Sequence, residues 1–122
     1  MKKIKILIAD DHALLRVGLN TMLNTQPDMA VVGEAGNGLE AVERYRELRP
    51  DLVLLDLVMP ELDGRQALVR ILEHDPAARV VILSSLGAQG DIAECLRLGA
   101  RSYLQKPIDP DAMERVLRQV VA

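Results

Sequence analysis

Five short apolar runs alternate along this chain with five longer segments of helical period, and that alternation narrows the fold more than any other feature. The runs occupy residues 4–9, 29–34, 52–55, 79–83 and, more weakly, 101–105. Residues 52–55 are apolar without interruption, as in a strand covered on both faces. The helical segments cover residues 12–25, 38–48, 65–73, the stretch after a flexible 87–90 loop, and the segment from Asp109 onward. Local signals punctuate them. Gly36-Asn37-Gly38 turns the chain into the second helix, and Arg49-Pro50 ends it, because proline disfavours helix in the preceding residue. Met59-Pro60 and Asp63-Gly64 are turn signals before the third helix. Gly99 marks the stop of the fourth. Asp109-Pro110 supplies an N-cap carboxylate and a first-turn proline to the last. In that helix Met113, Val116, Leu117, Val120 and Val121 form one apolar stripe. In the first helix Leu14, Val17 and Thr21 lie on one side, and Leu15, Leu19 and Met22 on another.

Strand alternating with helix five times predicts an α/β fold, a doubly wound five-stranded parallel sheet flanked by five helices. A length of 122 residues suits one domain over residues 1–122, with no repeat, interdomain linker or output domain. Tyr45 and Tyr103 are the only aromatics, so the core must be aliphatic. The net charge of −3 argues against a lone nucleic-acid binder, which carries a basic stripe. A single cysteine, Cys95, excludes an internal disulfide; it reads as a small packing residue in a reducing compartment. Lys2-Lys3 resembles the start of a signal peptide, but the run over residues 4–9 is too short and ends at two aspartates. No segment approaches the ~20 apolar residues of a membrane span. The cytoplasm is the expected location.

The residues that carry chemistry stand directly after the apolar runs. Asp10 and Asp11 come after the first, Asp56 after the third, Ser84 after the fourth and Lys106 after the fifth. In a parallel sheet these strand ends share one edge, where such folds bind ligands. Carboxylates gathered there repel by ~1 kcal/mol per pair at 4 Å in water and ~4 kcal/mol near a protein surface. A divalent cation neutralises them, and an all-oxygen set suits Mg²⁺. His12, next to two aspartates, has two readings, a metal ligand or an exposed histidine at a helix start, and the second is favoured; Arg65 and Arg70 read as solvated helix charges.

The residues Asp10-Asp11, Asp56 within Asp-Leu-Val-Met-Pro-Glu-Leu-Asp-Gly, Ser84, Tyr103 and Lys106-Pro107 resemble the receiver domain of two-component response regulators over essentially the whole chain. Ala9-Asp10-Asp11-His12 with Val17-Gly18-Leu19 resembles the subgroup fused to a LuxR-type helix-turn-helix. The resemblance implies strand order 2-1-3-4-5, which sets the first and third strands side by side. It implies that Asp56 accepts a phosphoryl group from a sensor histidine kinase. Mg²⁺ would be held by Asp11, Asp56 and the backbone carbonyl of Val58, with Asp10 acting through water. Lys106 would pair with phosphoryl oxygens, and Ser84 and Tyr103 would act as the switch. The chain is then no enzyme beyond its own phosphorylation and dephosphorylation. The face made by the fourth helix, fifth strand and fifth helix would change on phosphorylation, and would serve a homodimer. DNA would be reached only through a C-terminal domain absent from this chain. Lys106-Pro107 is expected to be cis. Apolar Val58 and Leu86 beside the pocket predict slow self-dephosphorylation.

Three alternatives share the fold class. An aspartyl-phosphate hydrolase wants two aspartates separated by one residue, whereas Asp10 and Asp11 are adjacent. A nucleotide or flavin module needs a Gly- or Ser/Thr-rich phosphate loop after the first strand. A degenerate receiver serving only as an interaction module would not need the intact acidic set.

Overall fold

The computed structural model describes residues 2–85 and 87–122. Strands β1 (Ile4–Ala9), β2 (Met29–Ala35), β3 (Leu52–Asp56), β4 (Val80–Ser84) and β5 (Ser102–Gln105) alternate with helices α1 (Ala13–Asn24), α2 (Gly38–Leu48), α3 (Gly64–His74), α4 (Gln89–Leu98) and α5 (Pro110–Val121). The strands pair in parallel in the order β2-β1-β3-β4-β5. This is the expected doubly wound sheet, and the strand order is the one that the family resemblance implied.

The pleat sorts the strand side chains into two cores. Ile6, Ile8, Leu52, Leu54, Val81, Leu83 and Leu104 meet Leu19 and Leu23 of α1 and Met113 and Leu117 of α5. Leu7, Ala9, Val53, Leu55, Val80 and Ile82 meet Ala41, Val42 and Tyr45 of α2, Ala67, Leu68 and Ile71 of α3, and Cys95 of α4. Alternate residues of each strand therefore serve opposite faces, as a period of two requires. The tyrosine in the second core is satisfied: Tyr45 Oη donates to Asp75 Oδ2 at 2.7 Å.

Helix ends follow the predicted punctuation. Asn37, Asp63 and Asp109 each accept a backbone N–H from the first turn of their helices. At Asp63 the cap is reciprocal, because Gln66 also accepts the Asp63 N–H. Gly99 ends α4 with φ +126, a region that costs other residues strain. The Lys106–Pro107 bond is cis, as expected. Several boundaries shift. Asp56 and Ser84 are the last residues of their strands rather than the first residues beyond them, since each still pairs across the sheet with Leu83 and Gln105. The predicted 87–90 loop is shorter, because α4 already includes Gln89 and Gly90. A first helical turn has no intrahelical partners for its N–H groups, so a glycine there weakens little.

Of the two α1 sides, the one carrying Leu15, Leu19 and Met22 faces the sheet. Leu19 is fully buried and Leu14 is 80 % exposed. Leu19→Ala should therefore cost ~2–5 kcal/mol of stability. Leu14→Ala should stay within ~0.5 kcal/mol. Urea midpoints of the two variants check both figures.

Candidate functional site

Register sets the chemistry at the carboxyl edge. Ala9 pairs with Leu55, so the next residues, Asp10 and Asp56, stand side by side. Both are buried. They share a cation: Lys106 Nζ lies 2.8 Å from Asp10 Oδ2 and 3.3 Å from Asp56 Oδ2. Lys106 is anchored in turn by its own N–H, which donates to the Ser84 carbonyl at 2.7 Å. Asp10, Asp56 and Lys106 continue the strand alternation of Ile8, Leu54 and Leu104, which all face α1 and α5. Three strands thus deliver two carboxylates and one ammonium to the same side of one sheet edge.

The β1–α1 turn adds the remaining groups. Asp11 is partly exposed, and His12 Nδ1 lies 3.0 Å from Asp10 Oδ1 and 3.2 Å from Asp11 Oδ1. The His12 backbone N–H donates to Asp10 Oδ1 at 2.8 Å. One donor atom from each of Asp10, Asp11, His12 and Asp56 falls within 4.8 Å of the others. Below Asp56 the chain turns tightly: the Gly64 N–H donates to the Leu57 carbonyl at 2.9 Å. A Cβ at residue 64 would meet the Asp56 carbonyl oxygen at 2.1 Å, so only glycine fits against the strand end. The Val58 N–H reaches Asp56 Oδ1 at 3.4 Å, and the Val58 side chain is exposed.

The two buried acids divide the cation unequally. Burial tends to raise the Asp10 carboxyl, but the Lys106 ammonium and the His12 N–H hold it below the ordinary value. Burial and the neighbouring Asp10 charge push Asp56 above it, against the pull of Lys106 and the Val58 N–H. Burial works against the Lys106 ammonium, and both carboxylates together still raise its pKa. Asp10 is thus the tightly paired member, and Asp56 the costly and more basic one. With three carboxylates against one ammonium, two negative charges stay uncompensated, the charge of one divalent cation. The donor set is mostly carboxylate oxygen and fits Mg²⁺.

The structure does not bring every predicted residue into contact. Ser84 is buried at the same edge, yet its hydroxyl has no hydrogen-bond partner. By alternation it belongs with Val80 and Ile82, on the α2–α4 side of the sheet. Tyr103 pairs with Ile82 on that same side and is 45 % exposed. Leu86 lies outside the described residues. Arg65 is not merely solvated: its guanidinium meets Glu94 of α4 at 3.1 Å, although both remain largely exposed. Arg16 escapes a reading of the sequence. It donates to the Asp10 carbonyl and, at 3.0 Å, to Glu34 Oε1 on β2, which ties the acidic turn to the sheet. Its position one helical turn after His12 is the available signal.

A family model described as the response regulator receiver domain matches residues 6–118. The chain is 40 % identical to the chemotaxis protein CheY of Listeria monocytogenes, over 95 % of this chain and 97 % of that one. It is 38 % identical to the nitrate/nitrite response regulator NarL of Escherichia coli, over 96 % of this chain and 54 % of that one, so it spans about half of that relative. The fold matches the CheX–CheY–BeF₃–Mg complex of Borrelia burgdorferi with a TM-score of 0.93 at 30 % identity, over 99 % and 91 % of the two chains.

Because burial and Asp10 raise the Asp56 pKa, its ionised form costs stability at neutral pH. The cost is absent below the ordinary carboxylate range, where folded and unfolded chains both carry the proton, and it grows as pH rises through the folded value. In the metal-free protein Asp56→Asn should raise the thermal midpoint at pH 7. That gain should vanish on acidification. Calorimetry in chelator at both pH values reads the difference.

Proposed function

The chain belongs to the response regulator receiver family, and we propose that it is a phosphorelay switch with Asp56 as phosphoacceptor. The observation that carries this is the shared Lys106 ammonium across two buried carboxylates of which only Asp56 is left basic. A carboxylate with a raised pKa is the better nucleophile, and phosphoryl transfer asks mainly for positioning and charge neutralisation. An Asp56 oxygen attacks the phosphorus of a phosphohistidine on a sensor histidine kinase. The P–O bond forms as the P–N bond breaks, leaving an acyl phosphate.

Asp11, Asp56 and the Val58 carbonyl would hold Mg²⁺, with Asp10 acting through water. The bound ion supplies charge neutralisation for the acceptor and phosphoryl oxygens. The Borrelia relative crystallised with Mg and BeF₃, a fluoride complex shaped like a phosphoryl group, is in keeping with that role. Lys106 then exchanges its contact with Asp56 for one with a phosphoryl oxygen.

Ser84 supplies the switch. A buried hydroxyl without a partner is costly, and a phosphoryl oxygen would satisfy it. To reach the group on Asp56 the hydroxyl must cross from the α2–α4 side of the sheet. Tyr103, on that same side, is placed to follow it inward. The face carrying α4, β5 and α5 changes as a result, and we assign to it the output contact and any homodimer. The resemblance to NarL supports a transcriptional output read through a further domain rather than by this acidic chain. No helix among the described residues is long and apolar enough to cross a membrane, and the cytoplasm is the proposed location.

Incubation with acetyl phosphate and Mg²⁺ should add one phosphoryl group by intact mass, and Asp56→Asn should remain unmodified. Labelling of that variant would contradict the assignment. After donor removal the label should persist for minutes or longer, because apolar Val58 offers no group to position a hydrolytic water. A lifetime of seconds would count against this.

A further inference from the structure

His12 takes no part in the phosphotransfer roles assigned above, yet it stands among the residues that do. Its Nδ1 lies 3.0 Å from Asp10 Oδ1 and 3.2 Å from Asp11 Oδ1. A donor atom of Asp56 completes a set whose members all fall within 4.8 Å of one another. Ligands on adjacent corners of an octahedron with bonds of about 2.1 Å are about 3.0 Å apart, and those on opposite corners about 4.2 Å. At 3.2 Å from Asp11 Oδ1, a direct ligand in the reading above, the imidazole nitrogen thus has the spacing of a neighbouring ligand. The ring is not committed elsewhere: His12 occupies the N-cap of α1 with an extended backbone, and its side chain makes no capping bond. Arg16 and the His12 N–H fix the turn that carries it.

An imidazole changes what such a pocket prefers. Mg²⁺ takes oxygen ligands and gains little from nitrogen. First-row divalent ions gain from imidazole, along Mn²⁺ < Fe²⁺ < Co²⁺ < Ni²⁺. Resting on the reading of the acidic pocket as a divalent-cation site, we propose that His12 Nδ1 is a direct metal ligand and makes this receiver select first-row transition ions over Mg²⁺. A phosphoacceptor of this kind would be loaded by such an ion at concentrations far below those needed for Mg²⁺.

Two measurements on the full chain decide it. Pulsed EPR of the Mn²⁺-loaded wild type should show ¹⁴N coupling from a bonded imidazole, and His12→Ala should lose it. Competition between Co²⁺ and Mg²⁺ should show the wild-type preference for Co²⁺ falling by about tenfold or more in His12→Ala, the scale on which metal-site partners act. Mn²⁺ bound without nitrogen coupling overturns the proposal, since Nδ1 then only donates to Asp10 and Asp11. Equal weakening of Co²⁺ and Mg²⁺ by the substitution overturns it too. Failure of the wild type to bind any of these ions overturns both this proposal and the metal-site reading beneath it. Mg²⁺ binding together with Mn²⁺ binding that lacks nitrogen coupling leaves that reading standing and removes only the role of His12.

Discussion

One ammonium between two buried carboxylates organises this protein. Lys106 lies within 3.3 Å of both Asp10 and Asp56, and without it two like charges would face each other at a dry sheet edge. Buried ion pairs are weak sources of stability, because desolvation takes back most of the attraction. The proposed phosphoacceptor role accounts for their presence here. Lys106 neutralises Asp10 well enough to leave it the tightly paired acid, and leaves Asp56 basic and incompletely compensated. In the proposed function, the asymmetry would separate a structural carboxylate from a nucleophilic one within a single pocket.

The sheet produces that asymmetry. Asp10 and Lys106, the first residues beyond β1 and β5, and Asp56, the last of β3, continue the side of the pleat that faces α1 and α5, while Ser84, the last of β4, lies on the other. Asp10, Asp56 and Lys106 therefore meet, and Ser84 stands apart with an unpartnered hydroxyl. A phosphoryl group on Asp56 would add acceptor oxygens where none now reach it. The movement needed to use them would carry the Ser84 hydroxyl across the sheet, away from the layer that contains α4 and Tyr103. In the proposed switch, local charge would thereby be linked to a distant face through one side chain and the strand that carries it.

Much of this is legible in the sequence. Apolar runs of strand length place all five strands, and Asn37, Asp63-Gly64, Gly99 and Asp109-Pro110 mark helix ends by chemistry that operates locally. The acidic residues beyond runs one and three announce the pocket. Parity at the strand ends is harder to see. Whether Ser84 continues β4 or leaves it decides which way its hydroxyl lies, and boundaries are the least determined part of any sequence reading. His12 shows beside the acidic pair in the sequence, but Arg16 does not, because its contacts depend on the path of the β1–α1 turn. Arg65 reads as solvated because Glu94, its partner on α4, is 29 residues away in the chain.

The acidic edge keeps two negative charges for a divalent cation to neutralise. The most direct measurement is the thermal midpoint of the wild-type chain against free Mg²⁺ at constant ionic strength. Binding at this site predicts a midpoint that climbs with concentration, each tenfold rise above the dissociation constant adding about 1.4 kcal/mol of stability, and a much smaller climb in Asp11→Ala. A midpoint indifferent to Mg²⁺, or one that climbs equally in both proteins, would contradict it.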